Sequence, residues 1–348
     1  MKKRNYWNRK ALFDTGGDYL IVYGQNCSGK SYQAKEEAIA RALKGERFFH
    51  LRRWGNDINQ NSATLYFDDM PVEKLTNGEW ERVEAWQGLY YFSRINEDGE
   101  KERSSQIGAY GSLNAWQKYK SVAWVNYTYI IFEEFISDYY LDQETLLLQR
   151  FVTAVFRDHK GTVLMIGNTI SRVIPYTEWI PNLAKQKQGT IELYHMKDAA
   201  GENQDILIAV EYGGVIKGTG SMFFGQASKS IMAGEWSVTD QPKLPKEYGL
   251  YENVYELVLE YQTFAFVLQL LIDPIEGTKL LYVYPRTKDR KIERVITDKF
   301  SDNIFKTRYF KDITPELYMQ ECIRNERVCY SDNLTASDFL SVISQMNI

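Results

Sequence analysis

The sequence predicts an α/β fold with a parallel central sheet, and three observations carry that prediction. Residues Gly24 to Ser31 read Gly-Gln-Asn-Cys-Ser-Gly-Lys-Ser, the phosphate-binding pattern G-x-x-x-x-G-K-[ST]. The motif lies between an apolar run, Tyr19 to Tyr23, and an Ala/Glu/Gln/Lys/Leu-rich stretch, Ser31 to Leu43, which is the strand–loop–helix context it needs. Further apolar runs then alternate with helical patterns, as in a parallel sheet covered on both faces.

Taken in order, the first strand is Tyr19 to Tyr23, entered through Gly16-Gly17. The helix after the motif is capped near Gly45. Arg47 to Arg53 reads as a second strand ending in two arginines. Residues 55–120 form an irregular insert with short β-like pieces at Ala63–Phe67, Gly88–Phe92 and Ile107–Leu113, then a turn or short helix at Ala115–Lys120. Tyr127 to Phe132 is a buried strand ending in Glu133-Glu134. Gln143 to Asp158 is helical, and Thr162 to Ile166 is a strand ending at Gly167-Asn168. Ile191–Tyr194 and Ile206–Tyr212 suggest an antiparallel extension, followed by a glycine-rich connector to Pro245. Val254–Tyr261, Phe264–Ile272 and Leu280–Tyr284 read as consecutive strands, with helices at Pro315–Arg327 and Thr335–Met346. The expected divisions are a P-loop domain at 1–203, a connector at 204–240 and a small α/β domain at 241–348.

Composition bounds the class. The chain has 348 residues, ordinary apolar and charged fractions of 44% and 25%, and abundant aromatics. Cys27, Cys322 and Cys329 are an odd, scattered set, which argues for a reducing compartment over a disulfide framework. His50, His159 and His195 offer no metal-binding spacing. The charged start has no apolar stretch behind it, so no signal peptide is expected. The longest apolar run, Phe264–Ile272, is too short to span a bilayer. A formal charge of −4 gives no global nucleic-acid signature.

The chemistry converges on strand ends, where open α/β sheets bind ligands. Gly24 and Gly29 let successive N–H groups of Gln25, Asn26, Cys27 and Ser28 turn toward an anion, and the following helix adds its dipole. Lys30 is expected to reach the β- and γ-phosphates of ATP and Ser31 to bind Mg²⁺. Four apolar residues followed by two acids make Glu133 the candidate for the Mg²⁺ shell and Glu134 the candidate base. A strand that simply ends in exposed acids is common, and the preceding P-loop is what favours the catalytic reading. Asn168, past the next strand, can sense the γ-phosphate, although Gly-Asn is also ordinary turn chemistry. Tyr6 and Trp7 could flank an adenine base or pack on the sheet edge. Arg157 ends the helix between the two strands. It is either dipole-compatible surface charge or an arginine finger for a neighbour's ATP, which requires a ring.

Together these residues resemble the DNA-packaging ATPases of phi-29-like phages, relatives of the terminase large subunit. The likeness runs from the Asn-Tyr-Trp-Asn stretch through the P-loop. It continues through His50-Leu-Arg-Arg53, Trp116-Gln-Lys-Tyr-Lys-Ser121, Ile131-Phe-Glu-Glu-Phe-Ile136, Thr153-Ala-Val-Phe-Arg157 and Ile166-Gly-Asn-Thr-Ile-Ser171, with Pro175-Tyr176 behind. It covers about half the chain. The resemblance implies an ASCE-type P-loop ATPase domain, a small connector and a C-terminal RNase H-like domain. It implies a pentameric ring at the portal of a procapsid in the infected host's cytoplasm, pumping double-stranded DNA. Arg157 takes the position of the family's trans-acting finger, and Lys120 that of a second basic residue facing the neighbour's nucleotide. Glu133 departs from the family's Asp, and Asn26 from a basic residue often found in the loop. In nuclease-bearing relatives the C-terminal domain clusters acids for two metals. Here Glu260 and Asp273 make no evident triad, so no nuclease is expected and docking to DNA, portal or a structural RNA is. Arg286 to Arg294 is a candidate phosphate contact, or a solvated turn with interspersed acids. Two other readings stay open: a P-loop kinase, which would make a phosphorylated product, and a nucleotide-gated assembly protein without steady turnover.

Overall fold

The structure, a computed structural model, describes residues 6–157, 159–197, 205–216, 233–236, 240–287, 292–346 and 348. The chain falls into two compact units, Met1–Ile170 with Ile174–Trp236, and Ser171–Val173 with Ser237–Ile348.

The first unit is built on a nine-stranded sheet in the order β3-β4-β5-β2-β6-β7-β1-β9-β8. Its parallel centre comprises β2 (Arg47–Arg52), β5 (Lys101–Ser112), β6 (Tyr127–Glu133), β7 (Thr162–Asn168), β1 (Tyr19–Gly24) and β9 (Asp205–Tyr212). Antiparallel β3 (Arg82–Trp86) and β4 (Leu89–Ile95) extend one edge, and β8 (Thr190–Lys197) closes the other. The central strands are continuous apolar runs because both faces are covered. Leu20 and Val22 join Ala34, Ala38 and Ile39 of α2 (Lys30–Ala42) in one core. Ile21 and Tyr23 join Leu148, Phe151 and Val155 of α5 (Glu144–Phe156) in the other. Alternation of side chains along β1 thus feeds two cores at once.

Two local expectations change. Ala63–Phe67 is not a strand: Gln60–Leu65 forms helix α3. Asn59 accepts from the Ser62 amide and Ser62 Oγ accepts from the Asn59 amide, and this reciprocal cap nucleates the turn. The strand at 205–212 is more than an extension. It is antiparallel to β8 but parallel to β1, with Tyr19 opposite Ile208 and Tyr23 opposite Tyr212. The P-loop sheet therefore continues past the 203/204 division expected from sequence. Much of 204–240 lies outside the described residues.

The second unit has a six-stranded sheet in the order β14-β13-β10-β11-β12-β15. β10 (Glu252–Tyr261), β11 (Phe264–Ile272) and β12 (Lys279–Pro285) form the expected antiparallel meander. β13 (Val295–Thr297) and β14 (Lys306–Thr307) then add in parallel beside β10. β15 (Val328–Tyr330) extends the other side. Helices α6 (Thr314–Arg324) and α7 (Asn333–Met346) cover one face through Met319, Cys322, Phe339 and Val342, packed on Leu257, Leu268 and Val283.

The basic stretch 286–294 is not an open phosphate contact at its ends. Arg286 is paired with Glu260 at 2.5 Å. Arg294 is 7% exposed and locked to Glu316 by two hydrogen bonds of 2.7 Å. Both cations are already used by acids of their own unit. Residues 288–291 lie outside the described residues.

Candidate nucleotide site

β1 ends in Gly24, whose φ of 142° suits glycine, and a Cβ there would sit 3.3 Å from the Gly213 carbonyl oxygen. The chain turns through Cys27 (φ 56°) and Gly29 (φ 92°) into α2. Gly29 supplies the left-handed conformation at the helix start without a Cβ penalty. The Ser28 carbonyl accepts from the Trp7 amide at 2.9 Å, so the N-terminal segment braces the loop.

Around this loop lies a cleft of about 680 Å³. Tyr6, Cys27, Ser28, Gly29, Lys30, Ser31, Glu133, Glu134 and Asn168 line it. These residues come from the ends of β1, β6 and β7 and from the N-terminal segment. They meet because parallel strands end on one edge.

Lys30 is 5% exposed and its ammonium is fully engaged. It donates to the Gln25 carbonyl at 2.7 Å, to Ser28 Oγ at 3.2 Å and to Asn168 Oδ1 at 3.2 Å. Burial pulls its pKa down to about 8, against the attraction of Cys27 and Glu133. Glu133 is also buried, and burial raises its pKa against hydrogen bonds from Ser31 and Tyr66 and the charge of Arg52. Ser31 and Glu133 are hard oxygen donors already hydrogen-bonded together, the type of pair that Mg²⁺ takes. Glu134 follows with φ 59° and a side chain 60% exposed to the cleft, held at 2.5 Å by Arg52.

Several expected residues stand elsewhere. Trp7 does not face the cleft. It is 7% exposed in the core shared by β1 and α2, and its indole donates to Glu211 at 2.9 Å. A buried indole N–H needs an acceptor, and half-buried Glu211 on β9 is one. Tyr6 alone of that pair reaches the cleft, exposed and beside Gly29. Gln25 turns away: its amide grips Ile216, accepting from the Ile216 N–H at 2.7 Å and donating to its carbonyl at 3.2 Å. Gly24 and Asn26 contribute backbone to the turn without lining the cleft.

Arg157 and Lys120 also lie off the cleft of their own chain. α5 runs back from the carboxyl edge of β6 to the start of β7, so its last residue reaches the opposite edge. Arg157 donates to the carbonyls of Lys120 at 3.1 Å and Val122 at 2.7 Å and remains exposed. The Lys120 ammonium lies 4.4 Å over the Trp116 ring. Arg157 thus sits against the backbone of Lys120, and neither residue lines the cleft that holds Lys30.

Other side chains that the sequence reading assigned no role complete the site. Arg53 pairs with buried Glu144 and donates to the carbonyls of Glu134 and Phe135, each at 2.9 Å. This clamps the backbone that carries the candidate base. Lys35, one turn past Ser31, pairs with Asp69 at the cleft wall. Tyr66 hydrogen-bonds Glu133 at 3.0 Å. Arg53 was visible as part of the His-Leu-Arg-Arg motif, but Tyr66 carries no local signal.

A model of the podovirus DNA encapsidation protein (Gp16) family matches residues 1–221. The chain belongs to that family. The DNA packaging protein of Bacillus phage B103 is 29% identical over 212 residues, 57% of this chain and 60% of that protein's length. The DNA packaging protein of Bacillus phage phi29 is 23% identical over 326 residues, 90% of this chain and 89% of that protein. A solved chain of the bacteriophage Phi-29 viral genome packaging motor assembly superposes with a TM-score of 0.57 at 20% identity, over 98% of this chain and 99% of that one. The last match shows a shared fold across both units. This family agrees with the resemblance read from the sequence.

Proposed function

We propose that this encapsidation-family chain is an ATP hydrolase whose turnover drives double-stranded viral DNA into a procapsid. The observation that carries it is the convergence of Lys30, Glu133, Glu134 and Asn168 in one cleft behind a P-loop. Relatives named as DNA packaging proteins support the substrate.

In this reading the loop amides and Lys30 bind the β- and γ-phosphates, and Tyr6 offers an aromatic face to the base. Ser31 and Glu133 would hold Mg²⁺, which would supply charge neutralisation on the phosphate oxygens. Glu134 orients and deprotonates the attacking water. Asn168, bonded to Lys30 here, would follow the γ-phosphate, and its bond to the P-loop lysine supports that reading. Arg157 and Lys120 act on the neighbouring subunit's nucleotide, so the active form is a ring, a pentamer by family likeness. Their exposure and their distance from their own cleft support that assignment. The P-loop unit, with β9 in its sheet, and the C-terminal unit would work at the portal in the host cytoplasm. A structural RNA is a further partner in this picture. No helix among the described residues is long and apolar enough to cross a membrane.

The test is phosphate release by wild type and Arg157→Ala chains mixed at varied ratios, with and without double-stranded DNA, portal and procapsid. DNA-stimulated turnover that the variant suppresses beyond dilution is expected. Turnover that ignores DNA in the full assembly and falls only in proportion to wild-type chains would sink the ring motor.

A further inference from the structure

Glu133 is one methylene longer than the aspartate expected at its position, and it has one more side-chain torsion to fix. A loose carboxylate is a poor metal ligand, because each free torsion must be frozen on binding. The structure holds this one with side chains that do not line the cleft. The Tyr66 hydroxyl donates to Glu133 Oε1 at 3.0 Å. The Tyr66 ring stacks on the His50 imidazole, with centroids 3.9 Å apart and planes 20° apart. His50 is 3% exposed, and its Nδ1 lies 2.9 Å from the Tyr90 hydroxyl. Its Nε2, without a hydrogen-bond partner among the described residues, lies 3.9 Å from Glu133 Oε2.

Both carboxylate oxygens are therefore faced by a wall from three separate segments. His50 is on β2, Tyr90 is on β4, and Tyr66 follows α3. None of these groups touches the space that phosphates would fill, since neither His50, Tyr66 nor Tyr90 lines the cleft. Ligating carboxylates in metal sites are oriented by such outer partners.

We propose that Tyr66 and His50 are positioning residues that set the Glu133 carboxylate for Mg²⁺, with Tyr66 as the hydrogen-bonding member and His50 as its stacking support. The proposal rests on the ATPase reading above. It also accounts for the glutamate: an aspartate carboxylate would be withdrawn by one methylene from the Tyr66 hydroxyl. The insert between β2 and β3 thus supplies a part of the site that the P-loop and the strand ends do not.

The experiment is titration of the full chain with a fluorescent, non-hydrolysable ATP analogue at graded Mg²⁺. Tyr66→Phe keeps the ring and its stacking and removes only the hydroxyl. Its half-saturating Mg²⁺ is expected to rise about 10-fold, the size typical of an outer-shell loss, with Mg²⁺-free binding unchanged. In a Glu133→Asp background the same Tyr66→Phe change is expected to add nothing, because the shorter acid no longer meets the hydroxyl. Equal weakening with and without Mg²⁺, no weakening at all, or full additivity with Glu133→Asp would overturn the brace. A wild-type chain that binds the analogue without regard to Mg²⁺ would overturn the metal-dependent ATPase reading and the brace with it. The two failures are therefore told apart by the wild-type curve.

Discussion

Both units place acids at or near strand ends, but in the second unit Glu260 and Asp273 are held apart. β1, β6 and β7 are parallel, so the P-loop, Glu133-Glu134 and Asn168 share one edge. In the second unit β10 and β11 are antiparallel, with Glu260 opposite Ala265 and Glu252 opposite Ile272. Glu260 and Asp273 therefore fall at opposite ends of the hairpin, about 27 Å apart at the rise of an extended strand. Each is occupied by a cation, Glu260 by Arg286 and Asp273 by Lys246, both at 2.5 Å. Chain direction decides which acids can act together. An acid at a strand end is informative only once the direction of the neighbouring strands is known.

The largest effect that would test this contrast is on hydrolysis. Glu134→Gln should lower kcat by about 10²–10⁴, the usual contribution of a positioned base, while leaving nucleotide binding intact. Glu260→Gln should leave phosphate release unchanged. A Glu260 variant as damaging as the Glu134 one would break the comparison.

A second test uses the buried arginines, of which each unit has one among the described residues. Arg53 and Arg294 both make two hydrogen bonds to a fully buried glutamate, Glu144 and Glu316. Replacing either arginine with Ala strands a buried carboxylate and should cost about 3–5 kcal/mol, read by denaturant unfolding. Only Arg53 also holds the carbonyls of Glu134 and Phe135; Arg294 holds those of Val295, Phe305 and Tyr309. Under conditions where both variants stay folded, Arg53→Ala alone should slow hydrolysis. Equal slowing by Arg294→Ala would show that the two clamps are not functionally distinct.

The smallest effect is the pH dependence that Lys30 contributes in the first unit. The folded-state pKa of Lys30, near 8, lies below the ordinary lysine value of 10.5. Below pH 8 the amine is charged in both folded and unfolded chains. Between pH 8 and 10.5 the folded chain releases this proton and the unfolded chain keeps it, so the free protein gains stability as pH rises through that window. Bound phosphates favour the charged amine, so nucleotide affinity should fall over the same window. Calorimetric titration with ATP from pH 7 to 10 would measure it. Lys30→Arg, which cannot lose its proton, should flatten the dependence whatever its affinity. A slope that persists in Lys30→Arg would assign it to another group.

What could be read from the sequence alone was whatever is local. Continuous apolar runs marked β1, β6 and β7, the P-loop pattern marked its own turn, and the acid pair and Asn168 followed from position after a strand. Reading the strands as parallel then brought those residues to one edge. The 60–65 helix was misread because its short apolar content outweighed a capping signal made by two small polar residues, Asn59 and Ser62. The remaining features depend on partners far away in the chain. β9 joins β1 across nearly two hundred residues, and Trp7 finds its acceptor in Glu211. Arg294 finds Glu316, and Tyr66 reaches Glu133 from an irregular insert. Such pairings are chosen by burial, which requires each polar group taken from water to meet a partner. A sequence states which groups need partners. Only the packed structure decides which ones they meet.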